Sequence, residues 1–268
     1  YNCYSDQGQA EPTCETRFDH LCEKFGLGNS NQYGLDINQW DVSRVSNMNS
    51  LFDDSTYNDC NIRELPRELQ DWNVGNVTDM SRMFYQVTGN IDLDDINNWD
   101  MSSVTNMDSM FGETTFDFPL DNWDVSRVSN MNKMFYNDEQ FNQDISSWDV
   151  SQVTTMSRMF FNAIVFNQDL NDWNVSQVTT MENMFDNADT FNGDISNWDV
   201  SNVNNMNKMF SSANTFNRDI SNWDVSQVTN MMDMFAFTEF NQDISNWDVS
   251  KVTSMYGMFR QAYDFNQD

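Results

Sequence analysis

Aspartate recurs at fixed intervals through most of the chain, and these carboxylate columns are the residues with the clearest capacity for chemistry. Asp124, Asp149, Asp199, Asp224 and Asp248 each follow a tryptophan directly, as do Asp41 and Asp100, while Asn73 and Asn174 fill the two remaining places. A second column, Asp144, Asp169, Asp194, Asp219 and Asp243, lies four residues before the tryptophan. An aspartate followed by Val-Ser can accept a backbone N–H two or three residues on and cap a turn. Stacked like charges repel, so the alternative is a divalent cation shared between units. Calcium takes about six to eight oxygen ligands, and the five aspartates named first are the candidates. The spacing matches neither an EF-hand nor the glycine-rich nonapeptide repeat, and both readings stay open.

Other chemistry is sparser. Two Asn-x-Ser/Thr sequons occur, Asn76-Val77-Thr78 and Asn174-Val175-Ser176, both candidate glycosylation sites in a secreted eukaryotic chain. Six residues after each tryptophan stands Ser46, Thr78, Thr105, Ser129, Thr154, Thr179, Asn204, Thr229 or Thr253. This column is read as the N-cap of a short helix, or as a flat hydroxyl face of the kind an ice-binding protein presents. Catalysis fails on inventory. Nucleophilic catalysis needs an activated Ser or Cys beside a base, and His20 is the only histidine. The carboxylates form a lattice, not one pair with separated pKa values. A non-enzyme is expected.

The elements that must position these columns are repeats. All nine tryptophans, Trp40, Trp72, Trp99, Trp123, Trp148, Trp173, Trp198, Trp223 and Trp247, fall in one register, the last six steps being 24 or 25 residues. Methionine lies eight residues after every one of them and phenylalanine twelve after. Such self-similarity reads as a solenoid of about nine coils of 25 residues, in which each unit buries its apolar face only against its neighbours. Trp198 and Val200 alternate with polar residues, which predicts a short parallel strand. Val203, Met206, Met209, Phe210 and Ala213 follow steps of three and four, which predicts a short α-helix or 3-10 turn. The nine tryptophans are then a structural core column, and the methionines fill gaps between coils.

Residues 1–32 read as an N-terminal cap and 33–268 as the array, irregular over 53–97 and regular over 116–268. Cys3, Cys14, Cys22 and Cys60 are confined to the cap and the loop before Trp72, which predicts two disulfides in an oxidising compartment. Three pairings are open; Cys14–Cys22 is disfavoured if both lie on one helix, about 12 Å apart. With 42 acidic and 13 basic residues the net charge is −29, which argues against nucleic acid and anionic membranes as partners. No apolar run approaches the roughly 18 residues of a membrane span. The chain opens at Tyr1 without an apolar leader, and Phe265-Asn266-Gln267-Asp268 begins a further repeat. The expectation is that any signal peptide has been removed and that the natural array continues.

The pattern F-N-x-D-I-x-x-W-D-V-S-x-V-T-x-M-x-x-M-F resembles the 25-residue surface-protein repeat of the BspA-like leucine-rich-repeat group, of mycoplasma-lipoprotein type. FNQDISSWDVSQVTTMSRMF (141–160) and FNRDISNWDVSQVTNMMDMF (216–235) follow it almost letter for letter, and the match covers about residues 33–268. The resemblance implies a leucine-rich-repeat-like α/β solenoid, secretion or cell-surface display, and a role in adhesion or recognition. It brings no catalytic residues. The expected function is therefore a non-enzymatic extracellular rod whose acidic face meets other surface proteins, glycans or copies of itself, with possible filament assembly. The rival is a calcium-dependent ligand- or glycan-binding ectodomain, which needs an outward aromatic patch that positions one and three after the tryptophan do not supply.

Overall fold

The structure is a computed structural model that describes residues 41–53, 69, 71–87 and 94–267. The cap, with Cys3, Cys14, Cys22 and His20, together with Trp40 and Cys60, lies outside the described residues. Positions are given below as residues after (+) or before (−) the tryptophan of a coil.

Successive coils stack in parallel, one residue of each bridging to the next at +7. The ladder runs Asn47, Asp79, Asn106, Asn130, Thr155, Thr180, Asn205, Asn230 and Ser254. From +8 onward the backbone alternates its bonds. In the Trp173 coil Met181, Asn183, Phe185 and Asn187 donate their N–H groups to the following coil, on Asn205, Asn207, Met209 and Ser211. The intervening Met184, Asp186 and Ala188 donate back three residues. The same alternation recurs from the Trp72 coil to the Trp223 coil.

The spacing predicts a short strand followed by a short α-helix or a 3-10 turn, and from +8 the backbone bonds within a coil run three residues back. An α-helix needs φ near −63° throughout, whereas +10 and +14 have positive φ in coil after coil, as at Lys208 (53°) and Ser212 (56°). The stretch is a chain of tight turns, with the positive φ at the third residue that a type II turn requires. Apolar residues at +8, +11, +12 and +15 satisfy a helix and this spiral of turns alike. Once a neighbouring coil is there to accept the N–H groups, the bonds four residues back are not formed. The Trp-Asp-Val stretch is bent too, because Val203 donates its N–H back to Val200, and every other coil repeats that turn.

The core is three aromatic columns lined by methionine. Tryptophans from Trp123 to Trp223 stack with planes within 5° and centroids 6.3 to 6.5 Å apart. The +12 phenylalanines stack without a break from Phe52 to Phe259. The −7 phenylalanines form the third column and from Phe141 onward stack on the second with centroids about 4 Å apart, as Phe185 does on Phe191 (3.9 Å). Met206 and Met209 are fully buried, as are their counterparts from the Trp72 coil to the Trp223 coil.

Each buried indole is also tied. Trp99, Trp123, Trp148, Trp173, Trp198, Trp223 and Trp247 donate their Nε1–H to the main-chain oxygen at −3 of the preceding coil, at 2.7 to 3.3 Å. A buried indole N–H without a partner is costly. Here that requirement locks one coil to the next. In the irregular stretch a short 3-10 helix, Asp94–Asn98, supplies the −3 carbonyl through Ile96.

Two coils are one residue short, and both carry threonine at +15 where four of the regular coils have alanine. Thr238 Oγ1 donates to the carbonyl at +12, on Phe235, at 2.8 Å, and Thr114 Oγ1 lies 2.8 Å from both the Phe111 carbonyl and Oδ2 of Asp138, with one proton shared between the two acceptors. In the 25-residue coils that carbonyl takes the +15 backbone N–H, as Phe160 takes Ala163. The hydroxyl replaces the missing turn bond.

Candidate functional site: the outward polar columns

The +1 residue is exposed in all nine coils. Each accepts the backbone N–H of the residue at +3, at 3.0 to 3.3 Å, from Ser43 onto Asp41 through to Ser250 onto Asp248. The predicted candidates Asp124, Asp149, Asp199, Asp224 and Asp248 are therefore all turn caps through Oδ1. The −4 column repeats the device: Asp144, Asp194, Asp219 and Asp243 accept the N–H of Ser146, Ser196, Ser221 and Ser245. Asp169 departs from it: its Oδ1 takes the N–H of Asp194 in the next coil at 2.7 Å.

These bonds favour the ionised carboxylate. The serine side-chain and backbone donors hold Asp41, Asp124, Asp144 and Asp224 below the usual carboxylate range. For Asp194, Asp219, Asp243 and Asp248 the backbone N–H is the larger cause of the same downward shift. Among the described residues no three His, Cys, Asp or Glu side chains converge as a metal cluster.

The +6 hydroxyls cap no helix. Thr78, Thr105, Ser129, Thr154, Thr179, Thr229 and Thr253 each donate the side-chain hydroxyl to the +6 carbonyl of the preceding coil, at 2.9 to 3.2 Å. The same carbonyl takes their backbone N–H. Asn204 bonds through its backbone alone and keeps the ladder continuous. All of these residues are exposed, so a regular row of fixed hydroxyl groups lines this face.

A family model described as "Mycoplasma protein of unknown function, DUF285" matches residues 25–91, 86–197 and 179–268. The chain belongs to this family. Comparison with curated proteins and with solved structures gives no match. The matched stretches of the DUF285 chain run without a gap from residue 25 to residue 268, across the irregular coils as well as the regular ones.

Three features of this DUF285 array escaped sequence reasoning. Asn142, Asn167, Asn192, Asn217 and Asn241 at −6 each accept, through Oδ1, the backbone N–H one coil on. Asp117 starts that ladder by accepting from Asn142. The signal was present, since an asparagine follows the opening phenylalanine of every coil from Phe141 onward. The second feature is Asp138, which stands in the +15 column and is fully buried. Burial pushes its carboxyl up to about 6 against the bonds it accepts from Thr114 Oγ1 and the N–H groups of Gln140 and Phe141. The third is a row of half-buried aromatic rings at +13 and +14. Tyr85 lies under Arg82 (4.0 Å) and Phe237 under Arg260 (5.0 Å), while Tyr136 sits between Lys133 (5.9 Å) and the stacked ring of Phe161 (5.0 Å). These rings already have partners on their faces, whereas Tyr256 and Tyr263 in the last coil stand 71% and 87% exposed.

Proposed function

We propose that this chain is a non-enzymatic extracellular or cell-surface protein, a leucine-rich-repeat-like solenoid of the BspA-like kind that presents a polar acidic face for adhesion or assembly. One observation supports this above the others. The +1 aspartates, fixed by their own turns, and the +6 hydroxyls, fixed on the neighbouring coil, repeat coil after coil on the exposed surface. A surface of fixed spacing and one sign of charge suits a partner that is itself extended or repeated, such as a glycan, another surface protein or a second copy of the chain, and multivalent contact would supply its avidity. The cap disulfides and secretion belong to the same reading. A pull-down from the native cell surface with the full chain, with and without chelator, tests it. Capture that survives chelation and is lost when Asp149, Asp199 and Asp224 are changed together to asparagine, with Ser151, Ser201 and Ser226 changed to alanine in variant and control, supports the acidic-face reading, because asparagine keeps the turn acceptor, removes the charge and without the serines makes no new sequon. Undiminished capture by that variant sinks it, and capture abolished by chelator moves the assignment to the calcium-dependent ectodomain.

A further inference from the structure

The two sequons are equivalent as letters but not as positions. Asn76 lies at +4, and its Nδ2 donates to the main-chain oxygen of Ser43 in the preceding coil at 2.7 Å. That bond is a recurring part of the array: Asn202 Nδ2 donates to Ser176 and Ser103 Oγ to Gly75 in the same way, both at 2.7 Å. The hydroxyl of Thr78, the third residue of this sequon, is committed as well, to the oxygen of Ser46 at 3.1 Å. Both functional groups of the first sequon therefore hold coils together.

The second sequon is open. Asn174 lies at +1 and is exposed, its Oδ1 accepting the N–H of Ser176 at 3.2 Å. Its Nδ2 occupies the place of the second carboxylate oxygen of the aspartates in this column and has no partner among the described residues, and neither does the hydroxyl of Ser176. The neighbours in the column, Asp149 and Asp199, are short and exposed. A substituent on Nδ2 of Asn174 projects into solvent and breaks no bond between coils, whereas one on Asn76 crowds a 2.7 Å contact.

We infer that Asn174 carries an N-linked glycan and that Asn76 does not. The assignment rests on the extracellular reading above. In the transfer, Nδ2 of Asn174 attacks the anomeric carbon of an oligosaccharide carried on a lipid diphosphate. The new C–N bond replaces the C–O bond to phosphate, the lipid diphosphate leaves with that electron pair, and the amide gives up one proton. The glycan then stands on the acidic face and interrupts the aspartate column at one coil.

The test is secretion of the full chain from a eukaryotic host, with a reporter sequon in an added unstructured N-terminal tag, followed by peptide mass spectrometry with and without peptide-N-glycosidase. Expected is glycan mass on the Asn174 peptide, its enzymatic removal leaving aspartate, and its loss in Asn174→Asp, which restores the residue most coils carry there. Asn76→Gln is expected to leave the glycan unchanged. An unmodified Asn174 beside a modified reporter overturns the site, as does occupancy of Asn76 in the secreted protein. Fractionation of the natural source separately tests the compartment: an intracellular chain overturns the extracellular reading, whatever the host experiment shows about the site.

Discussion

The indole N–H of Trp198 donates to the main-chain oxygen of Leu170, in the preceding coil, at 2.7 Å. Core packing and coil-to-coil polarity therefore depend on one side chain, and its two contributions separate by mutation. Trp198→Phe keeps an aromatic ring in the stack and leaves the Leu170 carbonyl bonded to the backbone N–H of Trp173 alone, a loss of about 0.5–1.5 kcal/mol. Trp198→Ala also opens a cavity and is expected to cost about 3–5 kcal/mol. Denaturant midpoints of both variants check this, and a Trp198→Phe midpoint equal to the parent's would show that the hydrogen bond contributes nothing.

Asp138 gives the array a pH dependence of stability in an unusual direction. Its folded pKa of about 6 lies above the ordinary 3.8, so between those values the folded chain binds the extra proton. Stability contributed by the neutral form is present below about 4 and is lost as pH rises to about 6, a fall of roughly 3 kcal/mol. Asp138→Asn keeps the acceptor for Gln140 and Phe141 and removes the titration. Urea midpoints compared at pH 4 and 7 should differ less in the variant, and parallel pH profiles would count against the assignment.

Gly193 occupies the −5 place that holds Gln143, Gln168, Arg218 and Gln242 in neighbouring coils. A Cβ there would stand 2.1 Å from the main-chain oxygen of Gln168. Gly193→Ala must push two coils apart and is expected to destabilise by about 1–3 kcal/mol. A thermal midpoint unchanged from the parent would mean that the backbone moves aside without cost.

Ser212 sits at φ 56° with no side-chain hydrogen bond among the described residues. Left-handed backbone costs a residue with a Cβ roughly 1–2 kcal/mol, and a β-branched one suffers most. Ser212→Gly is therefore expected to match or exceed the parent in stability and Ser212→Val to fall below it by about 1–2 kcal/mol. The order of the three melting temperatures decides the point.

The two threonines of the short coils offer a contrast with the exposed ladder. Thr238→Val removes the hydroxyl that serves the buried carbonyl of Phe235 and should cost about 1–3 kcal/mol. Thr229→Val leaves the carbonyl of Asn204 still bonded to a backbone N–H and should cost less than about 1 kcal/mol. Hydrogen exchange at the flanking amides distinguishes the pair, with faster exchange expected around residue 238 only.

Much of this was legible in the spacing of the chain. The inward set of Trp, Val, Met and Phe columns follows directly from the 25-residue register, because only a stack of like units buries them all. Turn capping by Asp199 and its equivalents could be read from Asp-Val-Ser, since the acceptor and its donor are two residues apart. The path between Met206 and Ala213 could not. A spacing of three and four fits a helix and a run of turns equally, and what decides between them is the next coil, which local sequence does not contain. Asp138 was hidden for a related reason: among so many exposed aspartates, only its place in the alanine column marks it as buried.

Each coil closes its bonds on its immediate neighbours, so tension applied along the stack meets a series of nearly identical latches. Peeling should proceed from an end in discrete events, each freeing about 25 residues, or roughly 80–90 Å of extended chain. Pulled under force, the protein would extend in a sawtooth of even teeth, letting a tether lengthen stepwise while the remaining coils hold.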